Sequence, residues 1–212
     1  FLSKQKQLRR WMETSPLGNR LSSRFIAGHS LSHALAVVRK IHTLDSMSTT
    51  LDYLGESVTT LGEASACRDE YLRAVQELHH AGLEVNVSLK LTQFGLDLSE
   101  SECLGNAADV VQAAARTGGF VRIDMESSAY TDRTLDVVRT LHARYHQTGA
   151  VIQAYLKRSA GDVEDLCNRG IRVRLCKGAY LEPPDVAFQA KRDVDASYLR
   201  LMKRLLEAGT YP

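Results

Sequence analysis

The chain has 212 residues, 44% of them hydrophobic and 25% charged, a composition typical of an ordinary soluble globular protein with one substantial core. Its 27 basic and 25 acidic residues are interspersed, so neither nucleic acid nor an anionic membrane is an expected partner. No apolar run approaches the ~18 residues of a membrane-spanning helix.

Residues 1–47 are predicted to form an N-terminal helical segment. Apolar residues such as Trp11, Phe25 and Leu35 recur there at loosely helical intervals. We interpret this segment as a helical cap, separate from a second domain formed by residues 48–212.

From residue 48 onward, a unit of one strand and one helix repeats. The first strand is predicted at residues 48–54. Each of the next four follows a helix that ends at a glycine, which supplies the left-handed conformation that other residues resist. These glycines are Gly82, Gly118, Gly149 and Gly170. Strands and helices that alternate with short connections predict right-handed crossovers and a parallel sheet.

Two folds share this alternation of strands and helices, a doubly wound sheet and a (β/α)₈ barrel. The polar residues at the strand ends indicate which of the two is favoured. In a barrel, catalytic groups project from the carboxyl ends of the strands. The five predicted strands end in Glu56, Lys90, Asp124, Gln153 and Arg174. Any one of them could be structural, as a helix cap, a snorkelling lysine or an ion pair. Five together favour a TIM-type α/β barrel with a functional rim.

The repeat also predicts that these residues supply only about five of the eight barrel units. The final predicted helix ends at Gly209, and earlier in the chain a strand follows each comparable glycine. Only Thr210, Tyr211 and Pro212 follow here. We therefore expect five parallel strands in an incomplete barrel that is open on one side.

Metal and disulfide chemistry find little support in the sequence. The four cysteines form no C-x-x-C pair, which argues against a zinc site and predicts a reducing, cytoplasmic environment. His29 and His33 are four residues apart, as are His142 and His146, but neither pair has a third ligand nearby. Because the chain begins with Phe1, a removed targeting segment stays an open possibility.

Five sequence blocks resemble the signature segments of the proline dehydrogenase family, in the family's order and across nearly the whole chain. They are LDYLGESV (51–58), VSLKLTQFGLD (87–97), VRIDMESS (121–128), VIQAYLKR (151–158) and VRLCKGAYLEP (173–183). The resemblance implies a flavin-binding barrel that oxidises L-proline to 1-pyrroline-5-carboxylate. It also implies FAD as cofactor and a quinone as the next electron acceptor, reached at the inner membrane by peripheral contact at most.

On the substrate side, the resemblance implies that Lys90 and Asp124 line the proline site, with Tyr180 and Glu56 nearby. A lysine and an aspartate would keep each other ionised and set the polarity of a pocket for a zwitterionic amino acid. Asp124 and Arg174 are the implied catalytic pair, and Arg174 would stabilise negative charge on the flavin as it is reduced.

On the cofactor side, the resemblance implies contacts from two strands and one loop. These residues are Met125, Gln153, Arg174, Lys177, Gly178 and Ala179. The family continues with a Thr-His strand and an Arg-Arg helix, and residues 1–212 contain neither. Two other functions stay open: a Schiff-base aldolase or lyase that uses Lys90, and a non-catalytic barrel fragment.

Overall fold

The computed structural model describes residues 26–28, 30–45, 47–55 and 58–210, and these fall into two compact units that divide between Thr49 and Thr50. In the first unit, helix α1 spans Leu31–Asp45. The Ser30 hydroxyl accepts a hydrogen bond from the His33 N–H at 3.4 Å near the start of this helix. The predicted helical segment otherwise falls largely on residues 1–25, which lie outside the described residues.

The second unit alternates strands and helices along its described residues. In chain order, they are β1 Leu51–Asp52, α2 Leu61–His80, β2 Asn86–Leu89, α3 Glu100–Arg116, β3 Phe120–Ile123, α4 Thr131–Tyr145, β4 Thr148–Gln153, α5 Ser159–Asn168, β5 Val173–Cys176 and α6 Lys191–Ala208. Short 3₁₀ turns follow β2 at Leu91–Phe94 and β3 at Ser128–Tyr130. Helix α2 begins with a capping box, in which the side chains of Thr60 and Glu63 bond each other's backbone N–H groups.

The strands form one parallel sheet in the order β1-β2-β3-β4-β5. Spatial order therefore equals chain order, without the reversal that defines a doubly wound sheet. Strands added one after another in a single direction are the winding of a (β/α) barrel. The predicted incomplete barrel of five units is confirmed, and within the described residues β1 and β5 are the two sheet edges.

Apolar and polar residues alternate along the strands. Val87, Leu89, Val121 and Ile123 have essentially no exposed surface, as expected for positions that face packed helices. The intervening positions, such as Ser88 and Arg122, are polar and are the ones that lead to the strand ends. Of the helices described, none is long and apolar enough to cross a membrane.

The first strand is shorter than predicted. Residues 48–54 were expected to be extended and paired, but only Leu51–Asp52 form β1. The next backbone donor, the Tyr53 N–H, donates to the Tyr71 hydroxyl on α2 at 3.2 Å and not to β2. The strand therefore ends at Asp52, a residue the sequence reasoning placed inside it.

The glycine pattern holds at three of its four positions. Gly82, Gly118 and Gly170 follow their helices with φ values of 67°, 72° and 69°, as predicted. The prediction for Gly149 is wrong, because Gly149 lies inside β4 and His146 takes the left-handed position with φ 58°. A Cβ at Gly149 would lie 2.6 Å from Phe120 Cζ and 2.7 Å from the backbone oxygen of Arg172, just before β5. Glycine is therefore needed there for close packing of the strands.

Candidate active site

Four charged side chains form a continuous ion-pair network, called here the rim network: Asp52, Lys90 and Asp124 at the carboxyl ends of their strands, and Arg174 inside β5. Lys90 Nζ donates to Asp52 Oδ2 at 2.9 Å and to Asp124 Oδ2 at 3.3 Å. Arg174 Nη2 donates to the other oxygen of Asp124, Oδ1, at 2.6 Å. Asp124 is therefore shared between two cations.

Strand register explains why these four side chains meet. Asp52 ends β1, Lys90 follows β2 and Asp124 follows β3, where the Asp124 N–H still donates to the Leu89 carbonyl at 2.8 Å. Arg174 is the second residue of β5, opposite Val151 of β4, so the prediction that the fifth strand ends at Arg174 is wrong. Its guanidinium reaches Asp124 past β4, so both side chains project from the same face of the sheet.

The electrostatics of the network keep Lys90 charged. Burial alone would lower the pKa of Lys90, but the hydrogen bond that Lys90 donates to Asp52 and the charges of Asp52 and Asp124 outweigh it and raise the pKa above its ordinary value. A Schiff-base lysine needs the opposite, a lowered pKa and a neutral amine. The geometry therefore disfavours the aldolase that the sequence left open.

Behind the rim network, a buried carboxylate ties two loops together. Glu126 accepts from the Thr92 N–H at 3.1 Å and from the Thr92 hydroxyl at 2.7 Å, and both residues are under a tenth exposed. These residues follow Lys90 and Asp124 by two positions each. The pair thus fixes the spacing between the two loops that carry the lysine and the aspartate.

Gln153 at the end of β4 offers an unused acceptor. Its Nε2 donates to the backbone oxygens of Met125 and Glu126 at 3.1 and 3.0 Å. Its Oε1 is buried and accepts no hydrogen bond from the described residues. An unsatisfied buried acceptor costs about 1–3 kcal/mol, so this oxygen fits a ligand that brings an N–H donor. A planar heterocycle with ring N–H groups, such as a flavin, meets that requirement beside the apolar Met125.

The segment after β5 is tied down at both ends. Lys177 Nζ donates to Asp195 Oδ1 on α6 at 2.5 Å, so the lysine ammonium is paired with helix α6. Further along, Glu182 accepts from the Ser128 N–H at 2.7 Å and from the Ser128 hydroxyl at 2.5 Å. Between these ties, Gly178, Ala179 and Tyr180 are exposed. Tyr180 is 42% exposed, and the partial burial that remains, followed by the charge of Glu126, raises its pKa above the ordinary value.

Gly178, in this segment, has no room for a side chain. Its φ is 111°, and a Cβ there would lie 2.2 Å from Tyr155 Cδ1. We expect Gly178→Ala to lower the free energy of unfolding by about 2–3 kcal/mol, since backbone strain and overpacking add. Urea denaturation measures this loss. The control is Gly161→Ala in α5, where a Cβ meets nothing within 4 Å; equal stability of the two variants would contradict the prediction.

The site residues predicted from the sequence thus fall into four groups. Lys90, Asp124 and Arg174 come together in the rim network, and Gln153 and Met125 are joined by a hydrogen bond beside it. Lys177 pairs with Asp195 on α6, and Gly178, Ala179 and Tyr180 follow it in the exposed segment after β5. Glu56 lies outside the described residues. Among those described, no group of three or more His, Cys, Asp or Glu residues is arranged to hold a metal ion.

Sequence reasoning missed Asp52, Thr92 and Glu126. Asp52 was hidden because the predicted first strand ran through it. The signal for Glu126 was available, since an acidic residue two positions after Asp124 lies in the same loop. Its partner Thr92 has no comparable signal, because the contact joins residues 34 positions apart.

Comparison with known proteins gives consistent matches. A family model described as proline dehydrogenase matches residues 34–211. Proline dehydrogenase of Deinococcus radiodurans is 37% identical over 196 residues, covering 90% of this chain and 63% of that protein. Proline dehydrogenase 1 of Bacillus subtilis (strain 168) is 35% identical over 212 residues, covering 100% of this chain and 69% of that protein.

Solved structures match over nearly the same range. Proline utilization A from Bdellovibrio bacteriovorus, inactivated by N-propargylglycine, aligns with a TM-score of 0.81 and 28% identity over 90% of this chain and 25% of that one. A mutant of Bradyrhizobium japonicum proline utilization A aligns with a TM-score of 0.73 and 21% identity, which is evidence for the fold alone; it covers 91% of this chain and 23% of that one. The chain spans roughly two thirds of the curated relatives' length, 63% and 69% for the two above.

Proposed function

Since this chain belongs to the proline dehydrogenase family, we propose that the protein it comes from oxidises L-proline to 1-pyrroline-5-carboxylate, with FAD as cofactor. The observation that carries this proposal is the rim network beside the unused acceptor of Gln153. Fixed charges of both signs suit a zwitterionic substrate, and a buried acceptor suits a ring N–H. In this proposal the catalytic domain is residues 48–212, with residues 1–47 as a helical segment outside it.

Four parts of the chain would hold the flavin: Arg174, the Gln153 amide, Met125 and the backbone of residues 177–179. When bound, FAD supplies the acceptor for the hydride that leaves the proline ring carbon next to nitrogen. Arg174 is held by Asp124, so its cation is oriented before any charge develops near it. A fixed cation in such a site stabilises developing negative charge without reorganisation.

Lys90 and Asp124 would position the substrate. The ammonium of Lys90 attracts a carboxylate, and the shared carboxylate of Asp124 attracts the positively charged nitrogen of an amino acid. Because the pKa of Lys90 is raised, Lys90 stays protonated at neutral pH and cannot accept a proton from the substrate. We therefore assign both residues to positioning. Tyr180, exposed at the rim, and Glu56 complete the proposed substrate side.

The next electron acceptor in this proposal is a quinone, reached at the membrane surface by peripheral contact. Cytoplasmic location fits the four cysteines, all of which have free thiols, since a reducing compartment keeps thiols unpaired. Reoxidation of the proline-reduced protein by a water-soluble quinone would support the acceptor. Reoxidation by oxygen alone would oppose it.

The test of the proposed function is spectroscopic. The full-length protein, reconstituted with FAD, is expected to have a flavin absorption spectrum that L-proline bleaches under anaerobic conditions. N-propargylglycine is expected to inactivate it over time, as it does the Bdellovibrio protein. Absence of bound flavin together with absence of proline-dependent dye reduction would contradict the proposal. Trapping of a carbonyl substrate by borohydride at Lys90 would point to the aldolase instead.

A further inference from the structure

The hydroxyl of Tyr71 lies where the β1–β2 ladder would have its next rung. The carbonyls of Val85 and Leu89 both accept hydrogen bonds from the β3 side. In a parallel ladder alternate residues bond opposite neighbours, so the Ser88 carbonyl faces β1. Asp52 is the register partner of Ser88, so the regular ladder donor to the Ser88 carbonyl would be the N–H of the next residue, Tyr53.

This rung is replaced by a side chain. The Tyr53 N–H donates to the Tyr71 hydroxyl at 3.2 Å, and that hydroxyl donates to the Ser88 carbonyl at 2.7 Å. The Tyr53 carbonyl is taken by a side chain as well, since Gln93 Nε2 donates to it at 3.1 Å. Both backbone groups of Tyr53 are therefore bonded away from β2, and the chain leaves the sheet directly after Asp52.

The inserted hydroxyl lies beside the rim network. Asp52 Oδ1 is 3.3 Å from the Tyr71 hydroxyl oxygen, while Asp52 Oδ2 accepts from Lys90 Nζ at 2.9 Å. The hydroxyl has one hydrogen, and the shorter distance assigns it to Ser88. The main effect of Tyr71 on Asp52 is therefore to hold β1 apart from β2 at this point, and not to donate a strong hydrogen bond to the carboxylate.

We propose that Tyr71 is a positioning residue, whose hydroxyl ends the β1–β2 ladder one rung early and so holds the Asp52 carboxylate against Lys90. The proposal rests on the proposed function for its kinetic consequence, because Lys90 is there assigned to the substrate. Without the Tyr71 hydroxyl, β1 can move closer to β2, and the Tyr53 N–H can donate directly to the Ser88 carbonyl. This movement would shift Asp52 relative to Lys90.

The surroundings of Tyr71 suit a fixed spacer. Its side chain is 2% exposed, and its ring packs against Phe94 at 5.4 Å and Tyr53 at 6.3 Å between centroids. Burial, followed by the charge of Asp52, raises the pKa of the hydroxyl well above its ordinary value. The group stays protonated over the working pH range and remains the donor to Ser88.

Tyr71→Phe in the full-length, flavin-loaded protein tests the proposal, because it removes the hydroxyl and keeps the ring. We expect KM for L-proline to rise about tenfold with kcat within about twofold, since only substrate positioning is disturbed. The control is Leu141→Ala, because Leu141 is fully buried near the end of α4, where the chain leads into the start of β4 and not to the strand ends of the rim. It should lower the unfolding temperature and leave KM unchanged. If Tyr71→Phe also lowers the unfolding temperature but leaves KM unchanged, Tyr71 is merely structural and the proposal is wrong.

Two further measurements separate this proposal from the proposed function. Tyr71→Phe and Asp52→Asn are expected to be non-additive in KM, because both act on the same pair with Lys90; additive effects would count against the proposal. Crystal structures of the wild type and Tyr71→Phe should show a lengthened Asp52–Lys90 distance in the variant. An unchanged distance overturns the positioning role whether or not proline is the substrate. A lengthened distance in a protein that ignores proline upholds the role and refutes only the function.

Discussion

Arg174→Ala is expected to lower kcat for proline oxidation about 100-fold and to change KM for proline less than about threefold. Loss of one preorganised group that stabilises transition-state charge costs about 100- to 1,000-fold, and the lower end applies because the Arg174 side chain is 44% exposed. Steady-state kinetics of the full-length protein with a dye acceptor measure both constants. The flavin spectrum of the variant shows whether the cofactor is retained.

Arg172→Ala is the matched control for this prediction. Arg172 lies two residues earlier, immediately before β5, and its guanidinium stacks over the Phe120 ring, 5.0 Å from the centroid. Its removal should affect stability more than kcat. Arg174→Lys keeps the charge without the planar fork and is expected to restore part of the turnover. Wild-type turnover in Arg174→Ala would remove Arg174 from its catalytic role.

Asp124→Asn is expected to lower kcat/KM about 30- to 150-fold, through a lower kcat and a higher KM for proline. Asp124 is the anion shared by Lys90 and Arg174, so the change leaves two cations without their common partner. Truncating one partner of a charge pair costs 2–5 kcal/mol, and we take about 2–3 because Lys90 and Arg174 are partly exposed to solvent.

A second shared carboxylate provides the control for Asp124→Asn. Asp165 accepts from Arg139 and from Arg169, both at 2.8 Å, on the outer helices. Asp165→Asn therefore removes the same kind of bridge in the second half of α5, the end that leads into the start of β5, and its kcat/KM should match the wild type. Similar kinetic losses in both variants would mean that the effect of Asp124 is one of general stability.

The sequence predicted the order of strands and helices because glycine and apolar periodicity are local signals. Placing Lys90, Asp124 and Arg174 on one rim required only that the strands be parallel, since parallel strands end at the same side of a sheet. This step was correct for Lys90 and Asp124, which directly follow their strands, whereas Arg174 joins them from a position two residues before the end of β5. The same reasoning placed Gln153 there, although the atom it leaves unpaired became evident only from the hydrogen bonds.

Features that depend on distant partners escaped the sequence. The end of β1 is set by Tyr71, 18 residues beyond Tyr53, and no periodicity encodes that contact. Lys177 was assigned to the cofactor, yet Asp195 on α6 binds its side chain 18 residues away. The left-handed residue before β4 was predicted to be Gly149. It is His146, because Gly149 is needed inside the sheet.

The close packing at Gly149 bears on which sequences of this family can exist. Any side chain there would displace the Phe120 ring, over which the guanidinium groups of Arg122 and Arg172 both stack. The position is remote from the rim, so its substitution would leave the chemistry of the surviving molecules intact. Selection at residue 149 should therefore act on how much folded protein a cell retains, and variants should disappear from populations through low abundance and not through slow turnover.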